Sequence, residues 1–265
     1  MMKVAMGQLC SSRHLFENLD VILDFTLEAS NLKVDLIVFP ENCLFMGDSS
    51  DVLQIAKTIA SQGVIKKIAH IAKVEGINIL LGGVPEYVSD SSKVFNTSFW
   101  LNNEGKMIAR YRKCHLFDTS LPSGERFDES RYYQPGKTLS IVKYSDQKMG
   151  LSICYDLRFP ELYRAMSTKG ATVFFVPSAF TFETGQAHWH TLLKARAIEN
   201  HAFVIAPAQC GRHGNGRTTY GHSLIVDPWG KILLDAKTQL GVHVLETDLE
   251  EANKIRQMFS SSLAR

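Results

Sequence analysis

The chain has 265 residues, 45% of them hydrophobic, which suffices for one large core, and its 29 Lys and Arg against 27 Asp and Glu leave a formal charge of +2. That balance builds no global field to recruit nucleic acid or an anionic membrane, so partners are to be sought at local sites. No apolar run reaches the roughly 18 to 20 residues of a membrane span, the start MMKVAMGQL lacks the features of a secretory signal, and five scattered cysteines fit neither a disulfide framework nor zinc spacing, so a cytoplasmic protein with free thiols is expected.

KVAMGQL reads as a first strand, and Leu15, Leu19, Ile22, Leu23, Thr26 and Leu27 follow at helical spacing. LIVFP (36–40) is a continuous apolar run closed by proline, the pattern of a strand buried on both faces, and it delivers Glu41 to its end. Ile65, Ile68, Ala69 and Ala72 mark a second helix stopping near Gly76, and INILLGG is another buried strand. VFNTSFWL and KMIARY flank NNEG, a hairpin in which Gly105 supplies the positive φ of a tight turn, and RYRKCHLFD then carries Lys113 out of the second strand.

From Phe117 to Thr138 periodicity gives way to charge and to the breakers Pro122, Gly124, Pro135 and Gly136, and irregular chain of this length is often functional. Strands resume at LSIVKY and KMGLSIC, the latter ending on Cys154. A helix covers PELYRAMSTKG, ATVFFVP is a buried strand, and a further helix spans roughly His188 to Glu199. FVIAPA, SLIVDPWGKILLD and VHVLET are the last strands, the middle pair turning at DPWG. The mixture of βαβ units and hairpins, without a linker, predicts one α/β domain over residues 1–265. LIVFPENCLF (36–45) and VFFVPSAFTF (173–182) echo each other, as two similar halves packed face to face would require.

A cysteine just before a helix that Pro160 opens lies where backbone N–H groups lack partners, a place able to stabilise a thiolate and later an oxyanion. The competing reading of Cys154 is a small core hydrophobe. Asp156, Arg158 and Glu161, crowded behind it, cannot all be buried unpaired. Glu41, part-buried at a sheet end, is expected to have a raised pKa suited to a general base, or else to cap a helix. Lys113 offers an ammonium to developing negative charge, or belongs to a solvated basic turn with Arg110 and Arg112. His188 and His190 in AHWH are two apart, the wrong spacing for two metal ligands on one helical face. GRHGNGR lacks the context of a phosphate cradle and reads as a flexible basic loop, and no serine sits in G-x-S-x-G.

FPEN with Glu41, YRKCHLFD with Lys113 and ICYDLRFPEL with Cys154, in this order and each behind an apolar strand, resemble the signatures of the nitrilase, or carbon-nitrogen hydrolase, superfamily, and the likeness runs over nearly the whole chain. The resemblance implies a four-layer αββα sandwich of two mixed sheets with helices outside. It also implies a homodimer or larger homo-oligomer, in which the tail from about 249 to 265 takes part, and chemistry without a metal or organic cofactor. The family's catalytic set falls on Glu41, Lys113 and Cys154, and its second glutamate on Glu129 in FDES, with Glu125 nearby in the same loop. Tyr155 would lend its backbone N–H to the oxyanion.

Within the superfamily, PSAFTFETGQAHWHTLLKARAIEN, APAQCGRH and YGHSLIVDPWG are similar to the deaminated glutathione amidases, with the omega-amidases as neighbours. This implies hydrolysis of a primary amide of a small 2-oxo acid or peptide-like substrate to acid and ammonia through a cysteine thioester, with Glu129 orienting the water. The alternatives are omega-amidase action on 2-oxoglutaramate, nitrile or N-carbamoyl hydrolysis, and a thiol-based redox sensor or scaffold. By the same resemblance Phe180, Thr181 and His188 border the pocket. Arg158 pairs either with a substrate carboxylate or with Asp156 or Glu161.

Overall fold

The computed structural model describes residues 1–259, so the last residues of the tail assigned to assembly, 260–265, lie outside the described residues. The first half runs β1 (Met2–Gln8), α1 (Leu15–Asn31), β2 (Leu36–Val38), α2 (Val52–Ser61), α3 (Val64–Val74), β3 (Asn78–Glu86), β4 (Phe95–Leu101) and β5 (Met107–Arg112). A small hairpin follows, β6 (Asp118–Ser120) and β7 (Arg126–Asp128). The second half runs β8 (Ser140–Tyr144), β9 (Gln147–Leu151), α4 (Pro160–Thr168), β10 (Val173–Phe175), α5 (Phe182–Asn200) and β11 (Phe203–Ala206). It closes with a second small hairpin, β12 (Cys210–Arg212) and β13 (Thr218–Tyr220), then β14 (Leu224–Val226), β15 (Ile232–Asp235), β16 (Gly241–Thr247) and α6 (Glu251–Met258).

The long strands form two six-stranded mixed sheets, ordered β16-β1-β2-β3-β4-β5 and β15-β14-β11-β10-β9-β8. Along each strand, successive side chains point to opposite faces. Val4, Met6, Leu36, Val38, Leu80 and Trp100 of the first sheet therefore share one core with Met149, Leu151 and Phe175 of the second, and the Trp100 and Phe175 rings meet edge to face at 5.4 Å. The alternate residues Ala5, Ile37, Ile79 and Leu81 pack outward on Leu19 and Ile22 of α1 and Ile68 of α3, while Phe174 turns out to Tyr163 of α4 at 5.3 Å. Helices thus cover both outer faces, giving the αββα order.

The sequence echo has a counterpart in topology. β2 lies between two parallel neighbours, β1 and β3, and β10 between two parallel neighbours, β9 and β11. Reading the second sheet from β8 gives the same run of antiparallel, parallel, parallel, antiparallel, antiparallel pairings as the first sheet read from β16. Each half therefore ends its central strand in proline at one end of the sandwich, where ligands of open α/β sheets are commonly held.

Three local expectations are corrected. Cys154 does not end a strand: β9 stops at Leu151, and Cys154 opens a short 3-10 turn, Cys154–Arg158. Helix α5 begins at Phe182 rather than near His188, because the Thr181 side chain accepts the N–H of Thr184 as its N-cap. The irregular stretch from Phe117 contains the β6–β7 hairpin and a 3-10 turn, Glu129–Arg131.

Candidate active site

Glu41 lies just past β2, Lys113 just past β5, Glu129 at the foot of the β6–β7 hairpin and Cys154 just past β9, and the sandwich brings all four together. Lys113 is the hub: its Nζ donates to Glu41 Oε1 at 2.8 Å and to Glu129 Oε2 and Oε1 at 2.9 and 3.1 Å. Glu41 and Lys113 are 3% and 2% exposed, and Cys154 is 7% exposed. A lysine so deep is tolerated because two carboxylates and the fixed hydrogen bonds satisfy it.

Glu41 is held on every side. Its Oε1 also accepts Asn96 Nδ2 at 2.9 Å, its Oε2 accepts the Ala179 N–H at 3.1 Å, and its backbone carbonyl accepts Gln209 Nε2 at 3.1 Å. Asn96 reaches Glu129 Oε1 as well, at 3.1 Å, and Glu129 Oε2 accepts the Phe117 N–H at 2.6 Å. Glu125 is exposed on the rim of the same cleft, so of the two loop glutamates only Glu129 reaches Lys113. Two glycines lie where β3 shifts register against β4, one making room for Glu41 and the other for Pro177. A Cβ on Gly83, whose φ is +57°, would lie 2.5 Å from Glu41 Cγ. One on Gly82 would lie 2.2 Å from Pro177 Cβ.

The Cys154 backbone is left-handed, with φ +48°, and its N–H donates to Pro177 O at 3.0 Å. Such a conformation in a residue other than glycine costs about 1–3 kcal/mol and persists where the surroundings enforce it. Here they do. Asp156, fully buried, accepts the Ile153 N–H at 2.9 Å, the Tyr111 hydroxyl at 2.7 Å and the His115 N–H at 3.0 Å. From behind, Arg196 Nε and Nη2 donate to Leu157 O. Tyr155 is the second residue of this turn, where backbone N–H groups have no acceptor within the turn.

The charges settle into a thiol and a carboxylate. Burial, followed by the Glu41 charge and its hydrogen bond, pushes the Cys154 thiol far above its ordinary 9.0. Burial works to raise Glu41 too, but the Lys113 ammonium and hydrogen bonds from Cys154 and Lys113, with the Arg217 charge behind them, carry it below 4.5. The raised carboxyl expected from burial alone is thereby corrected. Burial opposes the Lys113 charge, and Glu129 and Glu41 overcome it, so Lys113 stays protonated.

Cys154 faces two spaces. One is a polar cleft of 620 Å³ that holds Glu41, Lys113 and Glu129 and opens past Phe45, Arg131 and Tyr132. The other is a narrow slot lined by Tyr155, Arg158, Phe180 and Thr181. Phe180 and Thr181 thus border the site, the Thr181 hydroxyl being engaged by Thr184 at 2.8 Å. His188 is in neither lining and reaches the slot through Arg158, whose Nη2 lies 3.2 Å from His188 Nδ1. Arg158 rests against the Phe180 and Tyr155 rings, and among the described residues it pairs with neither Asp156 nor Glu161. His190 turns away from His188, toward Asp235 at 3.3 Å, beside His222 and Lys237.

Two residues of the site escaped the sequence reading. Asn96 is a buried polar residue in the apolar run VFNTSFWL, and that misfit was its signal. Arg217 belongs to GRHGNGR and lines both spaces beside Cys154. Nothing in its local sequence separates it from a solvated arginine.

Residues 3–257 match the carbon-nitrogen hydrolase family. The chain is 42% identical over 257 residues to a deaminated glutathione amidase of Synechocystis sp., which covers 96% of this chain and 94% of that protein. Among solved structures, the C. elegans NitFhit protein superposes with a TM-score of 0.92 at 34% identity, over 100% of this chain and 65% of that one. Saccharomyces cerevisiae Nit3, a member of branch 10 of the nitrilase superfamily, superposes with a TM-score of 0.84 at 30% identity, over 97% and 93%. With its strand ends, its buried Lys113 and its strained Cys154 arranged on this fold, the chain belongs to the carbon-nitrogen hydrolase family.

Proposed function

We propose that the protein is an amidase of the deaminated glutathione amidase type, acting through a Cys154 thioester. The observation that carries this reading is the convergence of a buried thiol, an ionised glutamate and a protonated lysine on one cleft. These are a nucleophile, a base and a cation for the oxyanion, the parts that covalent amide hydrolysis requires.

Because the thiol is pushed up and Glu41 down, the resting pair is S–H and carboxylate, and proton transfer accompanies attack. The Cys154 sulfur bonds to the amide carbon as its proton passes to Glu41, and the oxyanion is met by Lys113 and the Tyr155 N–H. Collapse breaks the C–N bond, and Glu41 returns the proton to the departing nitrogen. Water then attacks the thioester, giving its proton to Glu41, and the acid leaves as the thiol is restored. Glu129 was expected to orient that water. Its two oxygens already take four donor contacts from Lys113, Asn96 and the Phe117 N–H, which supports a positioning role that holds the Lys113 ammonium over the cleft.

The departing nitrogen depends on the substrate. A primary amide such as 2-oxoglutaramate releases ammonia, whereas deaminated glutathione contains only peptide amides and releases an amine. The 620 Å³ cleft has room for a peptide-sized leaving group. Assembly as a homodimer or larger homo-oligomer is part of the same reading, supported by the exposed Ile198 and Trp229 beside the DPWG turn. A cytoplasmic setting is supported by five free thiols. No helix among the described residues is long and apolar enough to cross a membrane.

The test is amine and ammonia release from deaminated glutathione, 2-oxoglutaramate, a nitrile and an N-carbamoyl amino acid, side by side. Preference for the first supports the reading, preference for the second moves it to an omega-amidase, and no turnover of any amide removes it.

A further inference from the structure

Arg217 lies in the loop between β12 and β13, where Asn215 braces the turn: its Oδ1 accepts the Arg217 N–H at 3.1 Å and its Nδ2 donates to Gly47 O at 2.9 Å. The side chain leaves this loop for the active site. Three residues are common to the linings of the wide cleft and the narrow slot, namely Phe117, Cys154 and Arg217. The guanidinium therefore stands at the junction where the nucleophile stands.

Its donors are incompletely used. An arginine carries five N–H donors in a planar fork. Nη2 donates to Ala179 O, the Phe127 ring packs against the group at 5.1 Å, and the buried Nε–H has no acceptor. Among the described residues no carboxylate pairs with Arg217, whereas Arg110 and Arg112 share Glu86 and Arg13 takes Asp48. A buried donor of a charged group without an acceptor is costly, and such a group facing a cleft is completed by what binds there.

We propose that Arg217 is the receptor for a carboxylate on the acyl half of the substrate. The assignment rests on the reading of the Cys154 cleft as a substrate site and deepens it by naming the residue that recognises the acid group of an acyl portion such as a 2-oxo acid. A guanidinium fork suits a planar carboxylate, which two N–H donors meet side by side. The acyl half is the right partner because only that half stays tied to Cys154 once the amine has left. A group at the junction remains within its reach through both steps. Arg217 also braces Ala179, whose N–H holds Glu41, so a purely positioning role is the alternative to be separated.

The separation uses Arg217→Met and Arg217→Lys. Each is compared with the parent in the hydrolysis of 2-oxoglutaramate and of its carboxyl methyl ester, and in calorimetric binding of 2-oxoglutarate. The proposal expects Arg217→Met to raise KM for the acid about ten-fold or more beyond any change for the ester, to weaken 2-oxoglutarate binding by a similar factor, and Arg217→Lys to recover part of both. Equal losses on acid and ester would leave Arg217 with the bracing of Ala179 alone and overturn the proposal. So would parent protein that does not bind 2-oxoglutarate. Binding that depends on Arg217 without turnover of any amide would sustain the carboxylate receptor and overturn the amidase reading instead.

Discussion

The Glu41 carboxylate accepts the backbone N–H of Ala179 at 3.1 Å, a bond between the chain just past β2 of one sheet and the chain just past β10 of the other. The two proline-terminated strands that echo each other in sequence thus meet at the candidate active site. The proposed base is aimed by the opposite half of the molecule. Both halves must pack before Glu41, Lys113 and Cys154 have their geometry.

The depressed Glu41 and raised Cys154 set the pH dependence. Glu41 must be ionised to accept the thiol proton, so kcat/KM is expected to hold from pH 7 down past 4.5, the ordinary carboxylate value. The thiol contributes no alkaline limb below its ordinary 9.0. An acid limb assigned to Glu41 above 4.5 would contradict this. Glu41→Gln should lower kcat by about 10² to 10⁴ and abolish the Glu41 limb.

Replacing Lys113 by Met leaves Glu41 and Glu129 facing each other without the cation that joins them. Removing one partner of a buried ion network costs about 3–5 kcal/mol, so the variant should unfold at markedly lower denaturant and lose its activity. Its stability should improve as pH falls and the carboxylates protonate, opposite to the parent. In the parent the Glu41 contribution is present above the ordinary carboxylate value and is lost as pH falls through the lowered one. Denaturation midpoints at pH 8, 5 and 3 check the sign: the variant's should rise from pH 8 to 5, and the parent's Glu41-linked loss should come only between pH 5 and 3.

Asn96 joins the two glutamates without touching Cys154 in any hydrogen bond. Asn96→Ala should cost about 1–3 kcal/mol through the acceptors left with fewer donors. It should lower kcat more than it changes KM, since what it loosens is the base. A fall in kcat/KM caused by KM alone would place Asn96 in substrate binding.

Gly83→Ala tests the room made for Glu41. The new Cβ would meet Glu41 Cγ at 2.5 Å on a backbone with φ +57°, and overpacking of this kind typically costs about 1–3 kcal/mol. Activity is expected to fall with the fold retained, as near-ultraviolet circular dichroism would show. Gly76→Ala is the control for backbone strain without crowding, having a similar φ of +64° and nothing within 4 Å of its Cβ.

Arg158→Lys asks what the slot arginine does. With His188 and two aromatic faces as its contacts, its loss should weaken amides whose leaving half carries an acid group more than those whose leaving half is neutral. An equal loss on both would assign it to holding the slot wall.

The sheet strands and the NNEG hairpin were legible because apolar runs and punctuation are local, whereas Glu41, Lys113 and Cys154 each kept a structural alternative until the family resemblance joined them. Helix α2 was not read, although Asp51 stands at its N-cap position and Val52, Ala56 and Ile59 keep one buried face, because its ten residues follow an irregular stretch. Cys154 was placed in a strand because LSIC continues the apolar run of β9, while the turn is made by Asp156 binding back to the Ile153 N–H. The state of Glu41 lay further out of reach. Burial can be guessed from a strand end, but the sign of the shift is decided by Lys113, 72 residues away, which only the folded sheets bring to 2.8 Å.

The most direct test of the central claim is intact-protein mass spectrometry on acid-quenched reactions with 2-oxoglutaramate, with turnover of parent and Cys154→Ala measured in parallel. An acyl adduct that maps to Cys154 in the parent, and loss of both adduct and turnover in Cys154→Ala, is the predicted result. Turnover undiminished in Cys154→Ala, or an adduct on another residue, would contradict it.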